Sequence, residues 1–346
     1  MATGYVYDPI YLKHDLRGHP ENQQRLKTIL RVLQECNMQQ RLVPIPAVPI
    51  TAERLQRAHS PRYVEQVRRV AQQGGGHLDM DTYVRPDSYD AALMAAGGLV
   101  EATEAVLNGD VDNAFALVRP PGHHALQQRG MGFCLFNNVA IAARYALAER
   151  DLDRVLIMDF DVHHGNGTQD EFESDPAVMY ISTHQYPHYP GTGHWNEQGH
   201  GDGAGSIVNV PLEGGVGDEG FGRIFQEIVG PAAWRFQPQM LLVSAGYDAH
   251  WDDPLAYMQL TVDGYARIAR ALKDLADELC DGRLVFTLEG GYHLEALAYS
   301  ILNTFAVLLD DDDWQLVDPL GPSPRRERPV DGIIERVRQI HGLDRG

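Results

Sequence analysis

The sequence predicts one α/β domain built on a mostly parallel central sheet flanked by helices. Three observations predict it. Short β-branched runs alternate with longer stretches whose apolar residues recur every three or four positions, no repeat period divides the chain, and 346 residues at 44% hydrophobic suffice for one large core.

Taken in order, apolar periodicity predicts helices over 20–36, 61–73 and 88–109, followed by a first strand in "NAFALV" (113–118). A helix over 137–149 precedes two strands, "RVLIMDF" (154–160) and "AVMYIST" (177–183). The strand "SIVNVP" (206–211) follows, then a helix over 219–236 and the strand "MLLVSAG" (240–246). A helix over 261–281, the strand "RLVFTLE" (283–289) and a helix over 293–309 complete the alternation, which argues for a sheet covered on both faces. The stretch "DDDDWQLVDPLGPSPRRERP" (310–329), acidic and then proline-rich, reads as a tether before a last helix near 331–341. The core is expected over about 5–309, with 310–346 as tether and helix of the same domain, 1–346.

Composition narrows the function. A formal net charge of −19, from 29 Lys+Arg against 48 Asp+Glu, disfavours a grip on nucleic-acid phosphates or an anionic bilayer and favours a cationic or neutral substrate. Cys36, Cys134 and Cys280 are odd in number and far apart, so neither a disulfide framework nor a thiolate zinc cluster is expected. The N-terminus lacks the apolar segment of a signal peptide, and "AALMAAGGLV" is too short to span a bilayer. A cytoplasmic, reducing setting is expected.

In open α/β sheets the ligand site lies beyond the carboxyl ends of the strands. There the chain carries "RPPGHHALQQRGMGFCLFNN", "DFDVHHGNG", "THQYPHYPGTG", "YDAHWDDP" and "EGGYH", a gathering of histidines, acids, glycines and a tyrosine. If Asp159, Asp161 and His163 continue a strand, their spacing of two sends them to one face while His164 points away. Asp161 and His163 then suit a divalent metal, with Asp159 as a deeper partner. One Asp at a strand end would more often cap a helix, but two acids and a histidine on one face argue for a ligand set. Asp248, at the end of another strand, makes a third ligand and leaves a position open for water. Without cysteine the donors suit Zn²⁺ and also Fe²⁺, Co²⁺ or Mn²⁺. A second metal would need an acid two residues on, where the sequence has histidine, so one metal is expected. His123 and His124 follow a rigid Pro-Pro-Gly turn and are candidates for proton transfer, each tuned through its other ring nitrogen by Asp159 or Asn166. His59 and His341 are read as structural.

Together "RPPGHH", "DFDVHHGNGTQ", "SAGYDAHWDDPL" and "EGGY", with "HPENQQRL" near the start, resemble the zinc-dependent histone deacetylase family, especially its class II-like bacterial amidohydrolases. The resemblance implies an arginase/deacetylase fold and hydrolysis of an acylated lysine side chain. It implies Asp161, His163 and Asp248 as zinc ligands, His123 and His124 as the histidine dyad, and Asp159 paired with the first histidine. It implies Asn166 where class I members have a second Asp, and Tyr292 as donor to the scissile carbonyl. Gly132, Phe133 and Tyr189 would line a narrow tunnel. Leu255 stands where polyamine-selective relatives carry a glutamate. Structural potassium would lie at Asp159, Asp161, His163, Ser182 and Thr183, with a second site at Phe172, Asp175 and Val178. An acetylpolyamine amidohydrolase and a noncatalytic acyl-lysine reader are the alternatives. The G-x-G-x-x-G pattern within "GGVGDEG" (214–220) reads as a tight turn with an acidic helix start rather than a dinucleotide site, because Asp218 and Glu219 would meet the pyrophosphate.

Overall fold

The structure, a computed structural model, describes residues 1–311 and 313–343, so the tether and helix expected over 310–346 fall partly outside the described residues. The chain enters through β1 (Thr3–Val6), α1 (Gln24–Glu35), β2 (Val43–Ile45), α2 (Ala52–Leu55) and α3 (Pro61–Gln72). A short antiparallel pair, β3 (Gly76–His77) and β4 (Tyr83–Val84), precedes α4 (Ser88–Asn108). Then come β5 (Asn113–Ala116), α5 (Asn138–Glu149), β6 (Val155–Asp159), α6 (Asn166–Phe172), β7 (Val178–Gln185) and β8 (Ile207–Leu212). The chain continues through α7 (Asp218–Ile224), α8 (Gly230–Phe236), β9 (Met240–Ala245), α9 (Val262–Leu279), β10 (Leu284–Leu288), α10 (Leu294–Leu308) and α11 (Asp331–His341).

Eight strands form one sheet in the order β2-β1-β5-β10-β9-β6-β7-β8, with every neighbouring pair parallel. Strands β5 to β10 are buried along their length, as a sheet covered on both faces requires. The order matters for the site. It sets the carboxyl ends of β5, β10, β9, β6 and β7 side by side, and the register pairs Asp159 with both Ser244 and Ser182.

The six predicted strands are all present, and the sheet gains β1 and β2. The helix predicted from residue 20 begins at Gln24, because Glu21 turns its carboxylate into the core and Asp15 accepts from the Gln23 amide at 2.8 Å. The single helix predicted over 219–236 is two helices joined by a π-helical turn, Phe225–Val229, with Pro231 unable to supply an amide donor.

Described residues of the segment after α10 pack against the domain. Trp314 Nε1 donates to Asn303 Oδ1 (3.1 Å) and Trp251 Nε1 to the Gly321 carbonyl (3.2 Å), while Val330, Ile334 and Val337 are buried. Glu327 accepts from the amides of Gly217, Glu219 and Gly220 at 3.2–3.3 Å. The donors of the glycine-rich turn are therefore taken by the chain's own carboxylate. Among the described residues no helix is long and apolar enough to cross a membrane.

Candidate active site

Beyond β6 the chain leaves strand geometry at Asp159, so alternation along a strand is not what aligns Asp161 and His163. Two successive side-chain turns do it. Asp159 Oδ1 accepts from the Asp161 amide (3.1 Å), and Asp161 Oδ1 from the His163 amide (2.9 Å). From β9, Asp248 Oδ1 accepts from the Val162 amide at 3.0 Å. From β10, the Gly290 amide donates to Asp161 Oδ2 at 2.8 Å. His163 Nδ1 then lies 3.1 Å from Asp161 Oδ1 and 3.2 Å from Asp248 Oδ2, all three side chains being buried. His164 points the other way, between Thr192 Oγ1 (2.8 Å) and Gln169 Oε1 (3.0 Å).

This trio fits a divalent cation. Its donors are two carboxylates and an imidazole nitrogen within 4.8 Å of one another, and Asp248 Oδ2 is buried without a hydrogen bond despite its proximity to His163. A Cβ on Gly290 would fall against both carboxylates, so glycine is required for the backbone to close over them.

The histidine pair arrives on the loop after β5. Glu289, from the end of β10, accepts from the amides of Gly122 (2.7 Å) and His123 (3.2 Å) and from Ser244 Oγ (3.1 Å). His123 Nδ1 lies 3.0 Å from Asp159 Oδ2, which also accepts from Tyr180 OH at 2.9 Å. His124 Nδ1 lies 2.8 Å from Asn166 Oδ1, and the two imidazole rings are 4.0 Å apart. Their environments drive them apart. Burial opposes charge on His123, but the attraction of Asp159 and Asp161 wins and pushes its pKa up to about 10. Burial, and then the neighbouring His123, hold His124 well below the usual histidine range. The Asp159 carboxylate thus favours the charged form of His123, while burial favours the neutral form of His124.

Tyr292 closes the far side. Its ring stands edge-on to Phe133 at 5.8 Å, and the Arg25 guanidinium lies 5.1 Å over it. Arg25 is fixed by the carbonyls of Gly291 (2.7 Å) and Glu289 (2.5 Å) and by Glu21 Oε1 (3.1 Å), whose carboxylate also takes both faces of the buried Arg119 fork. Burial raises the Tyr292 pKa well above its ordinary value, so the hydroxyl remains a donor.

A cavity of about 240 Å³ joins His123, His124, His163 and Tyr292, with Gly132, Phe133, Tyr189 and Leu255 among its walls. The sequence profile described as "Histone deacetylase domain" matches residues 19–308. The chain belongs to the histone deacetylase family. It is 42% identical to a "Probable deacetylase" of Archaeoglobus fulgidus, over 99% of this chain and 98% of that protein. It is 40% identical to the "Histone deacetylase-like amidohydrolase" of Pseudomonas aeruginosa, over 84% of this chain and 75% of that one. The crystal structure of the HDA15 HD domain superimposes with a TM-score of 0.90 at 38% identity, covering 98% of this chain and 95% of that one. This histone deacetylase family member is accordingly a hydrolase of the deacetylase/amidohydrolase kind.

The walls of this deacetylase cavity are built under tight constraint. A Cβ on Gly132 would strike the His124 ring, and Phe133 adopts φ 69°, a left-handed conformation unusual for a bulky side chain. The Phe133 amide donates to Thr82 Oγ1 at 3.1 Å, which helps hold it there. Tyr189 stands perpendicular to His124 at 5.2 Å. Leu255 lines the cavity.

Three neighbours of the site escaped the sequence reading. His188 stacks on His163 at 5.2 Å and donates from Nε2 to the Leu255 carbonyl at 3.0 Å. Asp81 brings a carboxylate to the cavity, and Glu289 organises the histidine loop. The "EGGY" and "HQYPHY" motifs contained two of them, but nothing local distinguished their roles. His123, Cys134 and Glu289 form a second close group. Burial keeps the Cys134 thiol protonated, donating to the Gly132 carbonyl at 3.3 Å, and His123 is committed to Asp159, so this group is not a ready ligand set.

Of the residues implied for potassium, Ser182 Oγ pairs with His184 Nδ1 (2.9 Å) and Thr183 Oγ1 is buried without a partner. Phe172, Asp175 and Val178, which are not among the residues lining the cavity, are linked by two successive turns, Asp175 N donating to Phe172 O at 3.0 Å and Val178 N to Asp175 O at 3.4 Å. His59 and His341 are buried outside the site. His59 bridges the Leu126 carbonyl and the Asn137 amide, a structural role.

Proposed function

We propose that the protein removes acetyl or other short acyl groups from the lysine side-chain amine of peptides or proteins, using one divalent ion held by Asp161, His163 and Asp248. Zinc is the preferred assignment, with Fe²⁺ and Co²⁺ as chemical alternatives for the same nitrogen and oxygen donors. The observation that carries the reading is one cavity that His124, Tyr292 and His163 of that trio line together. When bound, the cation supplies Lewis acidity and a nucleophile at neutral pH.

The chain's own groups complete the reaction. With Nδ1 engaged by Asn166, His124 keeps Nε2 to accept a proton from water as its oxygen joins the acyl carbon. His123, cationic beside Asp159, fixes the local charge and the orientation of the pair. Tyr292 donates to the acyl oxygen as negative charge gathers there. When the carbon–nitrogen bond breaks, the proton on His124 passes to the departing amine, leaving free lysine and a carboxylate. Phe133 and Tyr189 offer apolar walls to the lysine methylenes, which suits a side chain neutralised by acylation.

An acetylpolyamine substrate is the second reading, because the Asp81 carboxylate beside the cavity would attract a distal ammonium. Leu255 offers no such charge and favours the lysine reading. We further propose potassium beside Asp159, Asp161, His163, Ser182 and Thr183, supported by the unpartnered Thr183 hydroxyl, and a second ion at the Phe172–Val178 turn. A cytoplasmic setting is proposed on three unpaired cysteines.

The test is Tyr292→Phe assayed on an acetyl-lysine peptide. Turnover should fall about 10²–10³-fold while metal content is retained. A variant as fast as the parent would remove Tyr292 from the chemistry, and an inert parent enzyme loaded with zinc would refute the activity.

A further inference from the structure

We infer that Asp253 is a positioning residue for Tyr292, and that it couples the tunnel-wall loop carrying Leu255 to the oxyanion donor. Asp253 is buried on the loop that follows Asp248. Its Oδ2 accepts from the backbone amides of Tyr292 (2.7 Å) and His293 (3.1 Å), and its Oδ1 from the amide of Leu255 (2.9 Å). One carboxylate therefore bridges two loops that are 37 to 40 residues apart in sequence and that both line the same cavity.

The geometry asks for a carboxylate at this place. Three N–H groups converge on two oxygens, and only a group with acceptors on both arms satisfies them all. Asparagine keeps the shape but turns an NH₂ toward at least one of the donors. The Tyr292 ring is held from the other side by Arg25 and Phe133, so its backbone is the remaining handle on the hydroxyl's position. The other end of the same carboxylate holds Leu255, whose carbonyl in turn accepts from His188. A shift in the tunnel wall is thereby transmitted to Tyr292 through one side chain. Displacement of a reacting group by about 1 Å costs up to about 100-fold in rate.

This inference rests on the proposed role of Tyr292 as a donor, and the experiment separates the two. A double-mutant cycle is run with Asp253→Asn and Tyr292→Phe on zinc-loaded enzyme, following kcat and KM for an acetyl-lysine peptide, zinc content, thermal midpoint, and hydrogen exchange of the Tyr292 and His293 amides. Asp253→Asn alone is expected to lower kcat about 10–100-fold with little change in KM, to keep its zinc, and to expose the two amides to exchange. In the Tyr292→Phe background the same substitution should cost at most about twofold, because the group it positions is already gone. Losses that multiply, or a kcat loss matched by lost zinc, would overturn the inference even with Tyr292→Phe slow. A Tyr292→Phe enzyme with parental kcat would overturn the Tyr292 reading itself and the inference with it. Asp253→Glu retains the charge and both acceptor oxygens; run through the same cycle, it keeps the question answerable if the asparagine variant does not fold, with the same non-additivity expected and multiplying losses again decisive against.

Discussion

His124 Nδ1 lies 2.8 Å from the amide oxygen of Asn166, whereas its neighbour His123 faces the carboxylate of Asp159. A neutral partner leaves His124 without the attraction that raises His123, and burial keeps it low. Asn166→Asp adds a negative charge at that contact and should raise the His124 pKa. His124 must be neutral to accept a proton, so the acid limb of the kcat/KM profile should move to higher pH. An unchanged limb would assign that ionisation to another group.

The closeness of Asp161, His163 and Asp248 predicts strict dependence on a bound divalent ion. Chelation should abolish turnover, and Zn²⁺ or Co²⁺ should restore it. Asp248→Ala should lose bound metal along with rate, because the remaining aspartate and histidine make an incomplete set. Full activity of protein that elemental analysis finds metal-free would contradict the site.

Substrate class is predicted to turn on two residues of the cavity wall, Leu255 and Asp81. The parent enzyme should prefer acetyl-lysine peptides to acetylputrescine or acetylspermidine by kcat/KM at physiological salt, where long-range attraction from the acidic chain is screened. Leu255→Glu should shift the preference toward polyamines, and Asp81→Asn should weaken whatever polyamine activity the parent has. A parent that already favours acetylpolyamines would promote the second reading.

Stability at low pH should depend on His59. Its Nδ1 donates to Leu126 O and its Nε2 accepts from Asn137 N, an arrangement only the neutral ring can make. Burial lowers its pKa to about 4, below the unfolded value near 6.5. Between those values the unfolded chain binds the extra proton, so this contribution is fully present above about 6.5 and is lost as pH falls toward 4. The stability advantage of the parent over His59→Gln, measured by urea unfolding, should shrink by about 1.5 kcal/mol from pH 6.5 to 5. An advantage constant over that range would mean His59 is free to protonate in the folded state.

The sequence by itself determined six of the sheet's eight strands, β5 to β10, and the set of residues at their carboxyl ends. Strands covered on both faces must be nearly continuous apolar runs, so β5 to β10 announce themselves, and the polar residues that follow each run stand out against them. Strands β1 and β2 escaped because four and three residues are too few to establish a period, and β2 is half exposed at the sheet edge. Only the tertiary structure decided which loops meet. The pairing of Glu21 with Arg119 spans 98 residues, and that of Gly122 with Glu289 spans 167. Asp253 and Glu289 look like ordinary acids in the sequence; their work depends on backbone amides brought within about 3 Å by the strand order. Asp161 and His163 share the site through hydrogen-bonded turns, a feature that strand alternation does not predict. Local pattern fixes which face of an element is apolar, but a hydrogen bond is lost within an ångström, and that ångström is set by the packing of the whole sheet.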